Sequence, residues 1–388
     1  MDRQRVVFIS GSAEEYGAEN ALLDLVRLLP DEFEPIVVLP ETGPLLNTLT
    51  QSGIEYRIVP FAVLDRKFFH PLRIFVYKAR ALLSVIRLIS LFRALKPSVV
   101  HTNNVLVLPG AIAAKIMGLP HVWHVREIIE GHHLSPALWK IWRWIIVATS
   151  NRVVCISSAV RAQFVEDPKV LVVHDGIDAE TFCPIGTNRS RAPVGKEDLV
   201  IGTVGRIELR RKGQDLFIEA ARMAMLSSDK LRFVIAGQER DSIAKTDRRI
   251  HDILSDGGLK EKIELRGFVS REHMPKLMND FDVLVLCSKQ PEGLGIVLLE
   301  AMACGRPVIS FAEGGPLDIV IDHVNGLLTP PGDVTKLAEA ILELAGDAEL
   351  RATLGSNGRR SVIDSFQSQR TAETMAGIFR QILRTLSC

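Results

Sequence analysis

Cysteine is scarce in this 388-residue sequence and follows no paired pattern. The five cysteines are Cys155, Cys183, Cys287, Cys304 and Cys388, and no two of them form a CxxC pair. An odd number of widely spaced cysteines argues against a disulfide framework and against a structural zinc site. The pattern favours a reducing, cytoplasmic location.

The sequence also lacks an excess of charge of either sign. It has 47 basic and 46 acidic side chains, for a formal net charge of +1. Proteins that bind nucleic acid usually carry a strongly basic patch. The charge balance therefore predicts that nucleic acid is not a partner.

Long hydrophobic runs are missing as well. The apolar run Val6 to Ile9 is too short for the core of a signal peptide, and the stretch Ala81 to Phe92 is interrupted by Arg87. A membrane-spanning helix needs about 20 apolar residues. We expect a protein that can touch a membrane but does not cross one.

Short apolar runs alternate with amphipathic segments along the whole chain. In the first half, these runs are Val6 to Ser10, Ile36 to Leu39, Ile54 to Val59, Val99 to Thr102, His121 to His124, Val153 to Ile156 and Val170 to Val173. In the second half, they are Val200 to Val204, Phe233 to Ala236, Ile263 to Leu265, Val283 to Leu286 and Val308 to Phe311. Such runs between helical segments are typical of strands buried on both faces of a parallel sheet.

The length predicts two domains, and a polar segment rich in Pro and Gly divides the chain. We predict an α/β protein with two Rossmann-like, doubly wound domains that face each other across a cleft. The first domain spans residues 1–183, the linker 184–198 and the second domain 199–366. The helical pattern at 367–388 is expected to pack back on the first domain.

A basic loop follows the first strand of the second half. It runs from Gly205 to Gly213 and places Arg206 and Lys212 at the carboxyl end of a strand, where fixed positive charges suit a phosphate group. Arg210 and Arg211 lie in the same loop, so a solvated basic turn is the alternative.

A second loop combines glycines with carboxylates. Gly293 and Gly295 let the backbone approach a ligand, and a helix that begins near Gly295 directs free N–H groups at an anion. Glu292 precedes this helix and Glu300 lies within it, so both carboxylates can flank a bound diphosphate. The alternative is a glycine turn whose Glu favours the helix dipole.

These motifs resemble the retaining glycosyltransferases of family 4, which have the GT-B fold. The resemblance rests on the Gly205–Gly213 loop, the Glu292 and Glu300 pair, the following Ala-Met-Ala-Cys-Gly-Arg-Pro, Gly314-Gly315 and Asn325-Gly326. In the first half, the matching segments are Tyr16-Gly17-Ala18-Glu19, Cys155-Ile-Ser-Ser158 and His174-Asp-Gly176-Ile-Asp178. The family more often has Asn where this chain has Asp175.

The resemblance implies roles for individual residues in binding a nucleotide-sugar. Arg206 and Lys212 would hold the donor diphosphate and stabilise the leaving group, Glu300 would bind the ribose, and Glu292 would meet the sugar. Further donor contacts would come from Gly17, Gly205, Gly267, Val269, Gly293, Leu294 and Gly295. Arg206, Lys212 and Glu292 are the candidate catalytic residues.

The first half carries the candidate acceptor residues, and it departs from the family at one of them. Arg126 stands where the family often has a His near the reacting sugar. The candidates are His101, Asn103, Asn104, His124, Arg126 and Glu127. A His at a strand end is otherwise more often structural.

No metal or other cofactor is expected. Asp280-Phe-Asp282 spells a DxD string, but it precedes the strand Val283 to Leu286 and would face away from the carboxyl-end cleft. The cations Arg206 and Lys212 are available for the leaving group instead. The GxGxxG spacing of a dinucleotide site is also absent, which disfavours a dehydrogenase.

Basic and aromatic residues cluster in two segments of the first half. No acidic residue occurs from Arg66 to Arg126, and a predicted helix, Leu72 to Leu95, carries Arg73, Tyr77, Arg80, Ser84 and Arg87 on one stripe. Trp139, Lys140, Trp142, Arg143 and Trp144 add aromatics beside cations. The segments indicate either an anionic membrane surface as a partner or a core helix with a solvated basic edge.

The sequence as a whole predicts transfer of a hexosyl unit from a UDP- or GDP-sugar to a hydroxyl of a glycan or lipid-linked acceptor, with retention at the anomeric carbon. A peripheral position on the inner face of the cytoplasmic membrane would suit such an acceptor. The alternatives are a non-catalytic nucleotide-sugar-binding subunit and a nucleotide-sugar epimerase of the same architecture.

Overall fold

A computed structural model describes residues 3–64, 71–129, 136–185, 198–238, 250, 253–254 and 259–387. The chain forms two compact units. The first comprises Met1–Asp175 together with Ser368–Cys388, and the second comprises Gly176–Gln367. Most of the predicted linker, residues 186–197, lies outside the described residues.

The first unit is built on a seven-stranded parallel sheet of order β3-β2-β1-β4-β5-β6-β7. Its strands are β1 (Gln4–Ile9), β2 (Phe33–Leu39), β3 (Glu55–Ile58), β4 (Val99–Thr102), β5 (His121–Val125), β6 (Arg152–Cys155) and β7 (Val170–Val172). Its helices are α1 (Gly17–Arg27), α2 (Leu45–Gln51), α3 (Pro71–Leu95), α4 (Leu108–Ile116), α5 (Pro136–Ala148) and α6 (Ser158–Arg161), and the C-terminal helix is described below. The four residues Val6 to Ile9 of the central strand are all fully buried, because helices cover both faces of the sheet.

The second unit has a six-stranded parallel sheet of order β10-β9-β8-β11-β12-β13. Its strands are β8 (Leu199–Val204), β9 (Leu231–Ala236), β10 (Ile263–Gly267), β11 (Val283–Leu286), β12 (Val308–Phe311) and β13 (Leu327–Thr329). Its helices are α7 (Leu209–Lys212), α8 (Gln214–Ser227), α9 (Met274–Asp280), α10 (Ile296–Ala303), α11 (Pro316–Ile319), α12 (Val334–Gly346) and α13 (Ala348–Ser365), with short 3-10 helices at Leu259–Glu261 and Arg271–His273. The predicted α/β class with two Rossmann-like domains is confirmed.

The C-terminal helix α14 (Ser368–Ser387) belongs to the first unit. Its apolar residues recur at helical spacing, and the buried ones are Ala372, Met375, Ala376, Ile378, Phe379 and Ile382. They share a core with Val6 and Phe8 of β1. Thr371 Oγ1 also donates a hydrogen bond to the carbonyl of His174 at 2.9 Å.

The first unit ends eight residues before the limit expected from the sequence. Residues 176–183 pack with the second unit, where the Ile177 amide donates to the Phe366 carbonyl at 2.8 Å. Asn279 Nδ2 donates to the Cys183 carbonyl at 2.9 Å. Pro and Gly residues mark the linker that the sequence predicts. The boundary between the compact units depends instead on these hydrogen bonds between distant parts of the chain.

Only one side of helix α3 is buried. Tyr77, Ser84, Val85, Leu88 and Phe92 are buried, and the last four of these follow helical spacing. The expected polar stripe is therefore split, because Tyr77 and Ser84 turn inward whereas Arg80 and Arg87 are exposed. The Arg73 side chain lies outside the described residues. No helix in the described part of the chain is long and apolar enough to span a membrane.

Candidate active site

Two loops of the second unit meet where the order of its strands reverses. Strands β8 and β11 are neighbours, with Val283 paired to Ile201, although β9 and β10 lie between them in the chain. The loops that follow β8 and β11 therefore leave the same edge of the sheet side by side. Ligands of open α/β sheets bind at such a reversal point.

Lys212 and Glu292, one from each loop, form an ion pair at this edge. Lys212 Nζ lies 2.6 Å from Glu292 Oε1, and each side chain retains 19% of its exposure. The hydroxyl of Ser288 donates a hydrogen bond to the same Oε1. The sequence predicted separate ligand contacts for Lys212 and Glu292, and the structure brings the two side chains into direct contact.

The surroundings of Glu292 lower the pKa of its carboxyl group. Burial alone raises that pKa, because a charge in a low dielectric is poorly solvated. The charge and hydrogen bond of Lys212, the hydrogen bond of Ser288 and the charge of Arg211 together outweigh the effect of burial. Glu292 is therefore a carboxylate, which accepts hydrogen bonds and can stabilise positive charge.

Arg206 lies in a loop that is held by a buried amide. Gln214 is 3% exposed, and its Nε2 donates to the Arg206 carbonyl at 2.9 Å. Its Oε1 accepts from the Glu208 amide at 3.3 Å. The sequence analysis did not single out Gln214, although its place as the first residue of α8 follows from Gly213. These bonds fix the backbone from which the half-buried Arg206 side chain extends.

Gly213 allows the two loops to touch. Its φ is +68°, and a Cβ on it would lie 2.0 Å from the Cys287 carbonyl oxygen. The backbones are joined next to this contact, where the Lys289 amide donates to the Arg211 carbonyl at 2.8 Å. Any side chain at position 213 would therefore clash with the backbone of the neighbouring loop.

The loop after β12 supports Glu292 from behind. The Gly315 amide donates to the Glu292 carbonyl at 2.8 Å. A Cβ on Gly314, whose φ is +71°, would lie 2.7 Å from the same carbonyl oxygen. The Gly314-Gly315 pair thus permits a close approach of backbone to backbone that sets the position of Glu292.

A small open pocket of about 190 Å³, including its solvent-filled mouth, adjoins Glu292. Its polar lining includes Ser288, Gln290, Glu292, Ser310 and Glu313. The sequence analysis missed Glu313, although the rule that selected Arg206 and Glu292 applies to it. Glu313 follows a strand, β12, that is the direct neighbour of β11.

The predicted helix begins where expected, since Gly295 precedes α10 with a φ of +89°. Glu300 is the fifth residue of α10 and is half-buried. Gly293 and Leu294 lie between Glu292 and this helix start. The structure therefore collects Arg206, Lys212, Glu292 and the amides of residues 293–295 at one edge of one sheet.

Gly267 is the last residue of β10, and Val269 lies two residues beyond it. Strand β10 is two strands from β8 in the same sheet. Gly267 is exposed and Val269 is half-buried. The Gly267 carbonyl accepts from the Gly237 amide at 2.8 Å, which ties this end of β10 to the end of β9. Both residues thus lie at the same edge of the sheet as the Arg206 loop.

Among the predicted acceptor residues of the first unit, Arg126 and Asn103 form a buried network with Asp175. Arg126 is 7% exposed, its Nη1 donates to Asp175 Oδ2, and its Nε donates to Asn103 Oδ1 at 2.9 Å. Asn103 in turn donates from Nδ2 to the Ala18 carbonyl at 3.4 Å, next to Gly17 at the start of α1. The two departures from the family pattern, Arg126 and Asp175, are thus partners of each other.

His101 and His124 lie deeper in the first unit, and both are fully buried. His124 Nδ1 and His101 Nε2 are 3.3 Å apart, and the ring of His101 packs on Phe8 and Phe379. Burial and the charge of Arg126 lower the pKa of each histidine well below its usual value. A second imidazole adds to the effect, that of His121 on His101 and that of His101 on His124. Both are neutral residues of the core beneath α14, without access to a dissolved ligand.

Asn104 and Glu127 have structural contacts of their own. Asn104 Oδ1 accepts from the Leu106 amide at 2.8 Å, and its carbonyl accepts from Trp123 Nε1 at 3.2 Å. The Glu127 carbonyl accepts from Gln163 Nε2 at 2.9 Å. Both residues are half-buried, so each retains an accessible part.

The DxD string lies at the opposite end of its strand from the Lys212–Glu292 pair. Asp282 immediately precedes β11 and is 2% exposed, and its Oδ2 accepts from the Val200 amide at 2.8 Å. Asp280 ends α9 and lies 3.4 Å from Arg266. Within the described residues, no group of three or more His, Cys, Asp or Glu side chains could hold a metal ion.

Comparison with known families assigns both halves of the chain. The model described as "Glycosyltransferase Family 4" matches residues 16–181, and the model described as "Glycosyl transferases group 1" matches residues 185–361. Together they account for most of the sequence.

Two curated relatives illustrate the similarity. The alpha-D-kanosaminyltransferase of Streptomyces kanamyceticus is 30% identical over 205 residues, which are 53% of this chain and 51% of the relative. A D-inositol 3-phosphate glycosyltransferase of Stackebrandtia nassauensis is 30% identical over 287 residues, which are 69% of this chain and 64% of the relative. The chain thus spans between half and two thirds of the length of these relatives.

Solved structures share the fold over nearly the whole chain. HepE from Anabaena, in complex with UDP and glucose, superposes with a TM-score of 0.83 at 23% identity and covers 98% of this chain and 100% of its own. A sucrose-phosphate synthase from Thermosynechococcus elongatus gives a TM-score of 0.77 at 20% identity, with 99% and 100% covered.

Proposed function

Because this chain belongs to the glycosyltransferases that these two family models describe, we propose that it transfers a hexosyl unit from a UDP- or GDP-sugar to a hydroxyl of a glycan or lipid-linked acceptor, with retention of configuration. One observation carries the proposal. The Lys212–Glu292 pair joins a cation and a carboxylate at the strand-reversal point, beside a small open pocket.

The donor lies along the carboxyl edge of the second sheet. Its diphosphate meets Arg206, Lys212 and the amides of Gly293, Leu294 and Gly295, because a helix start and two cations suit an anion. The sugar enters the pocket beside Glu292, Glu300 holds the ribose, and Gly205, Gly267 and Val269 border the nucleotide. In the first unit, Gly17 at the start of α1 adds a contact to the donor.

The reaction uses the leaving group as its base. The acceptor hydroxyl attacks the anomeric carbon on the face from which the diphosphate departs, and its proton passes to a departing phosphate oxygen. Arg206 and Lys212 stabilise the negative charge that grows on the diphosphate, and Glu292 stabilises the positive character of the sugar. These side chains supply the stabilisation that a metal ion gives in other enzymes, so the reaction needs no metal or other cofactor.

The relatives support a nucleotide-sugar donor. HepE structures contain UDP, UDP with glucose, and UDP-glucose. A Staphylococcus aureus relative, 30% identical over 46% of this chain and 35% of its own length, is a poly(ribitol-phosphate) alpha-N-acetylglucosaminyltransferase. Asn103, Asn104, Arg126 and Glu127 are the proposed acceptor contacts here, whereas His101 and His124 are fully buried.

The first unit offers a surface for a lipid-linked acceptor. Helix α3 exposes Phe75, Val76, Leu82, Leu83 and Ile86, between 46% and 68% each, alongside the exposed Lys78, Arg80 and Arg87. Helix α5 exposes Leu138, Ile141 and Trp144, the last at 70%. Apolar side chains interleaved with cations bind an anionic membrane surface. We place the protein at the inner face of the cytoplasmic membrane on this basis.

A donor-hydrolysis assay tests the proposal. Purified protein is incubated with a panel of UDP- and GDP-hexoses without acceptor, and free sugar and nucleotide are measured. Slow release of both from one donor, lost in Lys212→Ala, supports the transferase. Tight binding with no release in the presence or absence of acceptors points to a binding subunit, and conversion of the donor to its epimer points to an epimerase.

A further inference from the structure

Glu313 is held next to Glu292 by the backbone on both sides of it. It comes two residues after the end of β12, and its amide donates to the Phe311 carbonyl at 2.9 Å. The next two residues, Gly314 and Gly315, contact the backbone of Glu292 as described above. Glu292 and Glu313 both line the same pocket.

The two carboxylates differ in their partners. Glu292 is bonded to Lys212 and Ser288. The half-buried Glu313 carboxylate has no hydrogen-bond or ion-pair partner among the residues that the structure describes. Lys212 forms its ion pair with Glu292 and not with Glu313. The carboxylate of Glu313 is therefore available in the pocket as an acceptor of hydrogen bonds.

The other polar groups of the pocket do not satisfy Glu313 either. The Ser310 hydroxyl donates to the Phe311 carbonyl at 3.3 Å, and the Ser288 hydroxyl donates to Glu292. No residue that the structure describes donates a hydrogen bond to the Glu313 carboxylate, which leaves it available to a ligand. Sugar hydroxyls are suitable donors, because a carboxylate accepts but does not donate hydrogen bonds.

We propose that Glu313 determines donor specificity by accepting hydrogen bonds from the hydroxyls of a neutral hexosyl group and by repelling a hexuronate. This inference rests on the proposed function, because it takes the pocket as the place of the donor sugar. The second effect follows from electrostatics. A sugar carboxylate in this small pocket would stand against a fixed like charge that Lys212 does not offset.

Binding measurements on the full chain separate the two effects. UDP, UDP-glucose and UDP-glucuronate are titrated against wild type, Glu313→Gln and Glu313→Ala; GDP, GDP-mannose and GDP-mannuronate replace them if only GDP binds. The matched control is Glu349→Gln, an exposed carboxylate at the start of α13 in the same unit.

For Glu313→Gln we expect the affinity ratio of hexuronate to hexose donor to rise about tenfold, with nucleotide affinity unchanged. For Glu313→Ala we expect affinity for the hexose donor to fall about tenfold, again with unchanged nucleotide affinity. Glu349→Gln should match wild type throughout. If hexose and hexuronate donors bind Glu313→Gln in the wild-type ratio, the role of Glu313 is refuted while the donor site stands. If neither UDP nor GDP binds wild type, the proposed function fails and this inference with it.

Discussion

Arg126 and Asp175 form a buried ion pair at the carboxyl edge of the first sheet, with exposed side-chain fractions of 5% and 8%. Each residue differs from the family pattern, and each supplies the charge that the other requires. Removal of one partner leaves an uncompensated charge in the interior, which costs far more than the pair gains.

The first prediction follows from this pair. Arg126→Ala should lower the free energy of unfolding by about 3–5 kcal/mol, because Asp175 is left buried without its cation. Urea denaturation measures the change. Arg5→Ala, which breaks the exposed Arg5–Glu34 pair, should cost much less and serves as the control. Equal losses for the two variants would contradict a buried pair.

The second prediction separates turnover from donor affinity. Arg206→Ala and Lys212→Ala should each reduce turnover about tenfold to a hundredfold, since charge-assisted hydrogen bonds contribute about 1.5–3 kcal/mol and these bonds strengthen as the diphosphate leaves. Glu300→Gln should act mainly on donor affinity, because the ribose develops no charge. Arg210→Ala, an exposed cation of the same loop, is the control. If both Arg206→Ala and Lys212→Ala keep wild-type turnover, the donor does not bind at this edge of the sheet.

The third prediction concerns acid stability. Burial lowers the pKa of His101 and His124 well below 6.5 and that of His121 to about 4. Above pH 6.5 these groups are neutral in both states, whereas at lower pH the unfolded chain binds protons that the folded chain does not. Stability should therefore fall as the pH drops below 6.5, by about 1.4 kcal/mol per pH unit for each histidine.

Thermal midpoints between pH 8 and pH 5 test this dependence. His101→Gln should show a shallower decline with falling pH than wild type, whatever its stability at pH 8. His323→Gln, which removes an exposed histidine, is the control for the substitution itself. An unchanged slope in His101→Gln would mean that His101 is accessible to protons in the folded state.

The fourth prediction concerns membrane binding. The protein should co-sediment with anionic vesicles, less so as salt rises, because its cations are screened. Phe75→Ser and Trp144→Ser should each weaken binding several-fold, whereas Leu226→Ser should not, although Leu226 is 87% exposed in the second unit. Binding that is insensitive to both substitutions would leave α3 as a core helix with a solvated basic edge.

The fifth prediction concerns metal ions. Turnover should survive treatment with EDTA, because Arg206 and Lys212 supply the positive charge at the leaving group and Asp282 is occupied by the Val200 amide. Turnover of the treated protein is compared with that of protein supplied with magnesium or manganese. Recovery only after addition of metal would contradict the assignment.

The sequence predicted the sheets well because buried parallel strands leave a plain signature of apolar runs. Every strand predicted in the two halves is present, and among the described residues one strand, β13 (Leu327–Thr329), was not predicted. The carboxyl-end rule also located Arg206, Lys212 and Glu292. The sequence could not show that Lys212 and Glu292 bind each other, because their contact depends on the neighbouring positions of β8 and β11.

The direction in which individual side chains point was harder to predict from the sequence. His101 and Asn103 are two residues apart, yet the former points into the core under α14 and the latter bonds to Arg126 at the sheet edge. Trp139 and Trp144 show the same contrast, with exposures of 1% and 70%. From the sequence alone, two residues of the same type are expected to be equally buried. Their actual burial depends on which parts of the fold pack against them.

The division of the chain bears on the order in which it is made and folded. Residues 176–367 form a continuous unit, whereas Val6 and Phe8 need Met375 and Phe379 to cover them. On the ribosome, the second unit emerges complete while the first still lacks α14. Translation that stops before residue 368 would therefore release a chain with its later-made half folded and its earlier-made half open, a substrate for chaperones and proteases.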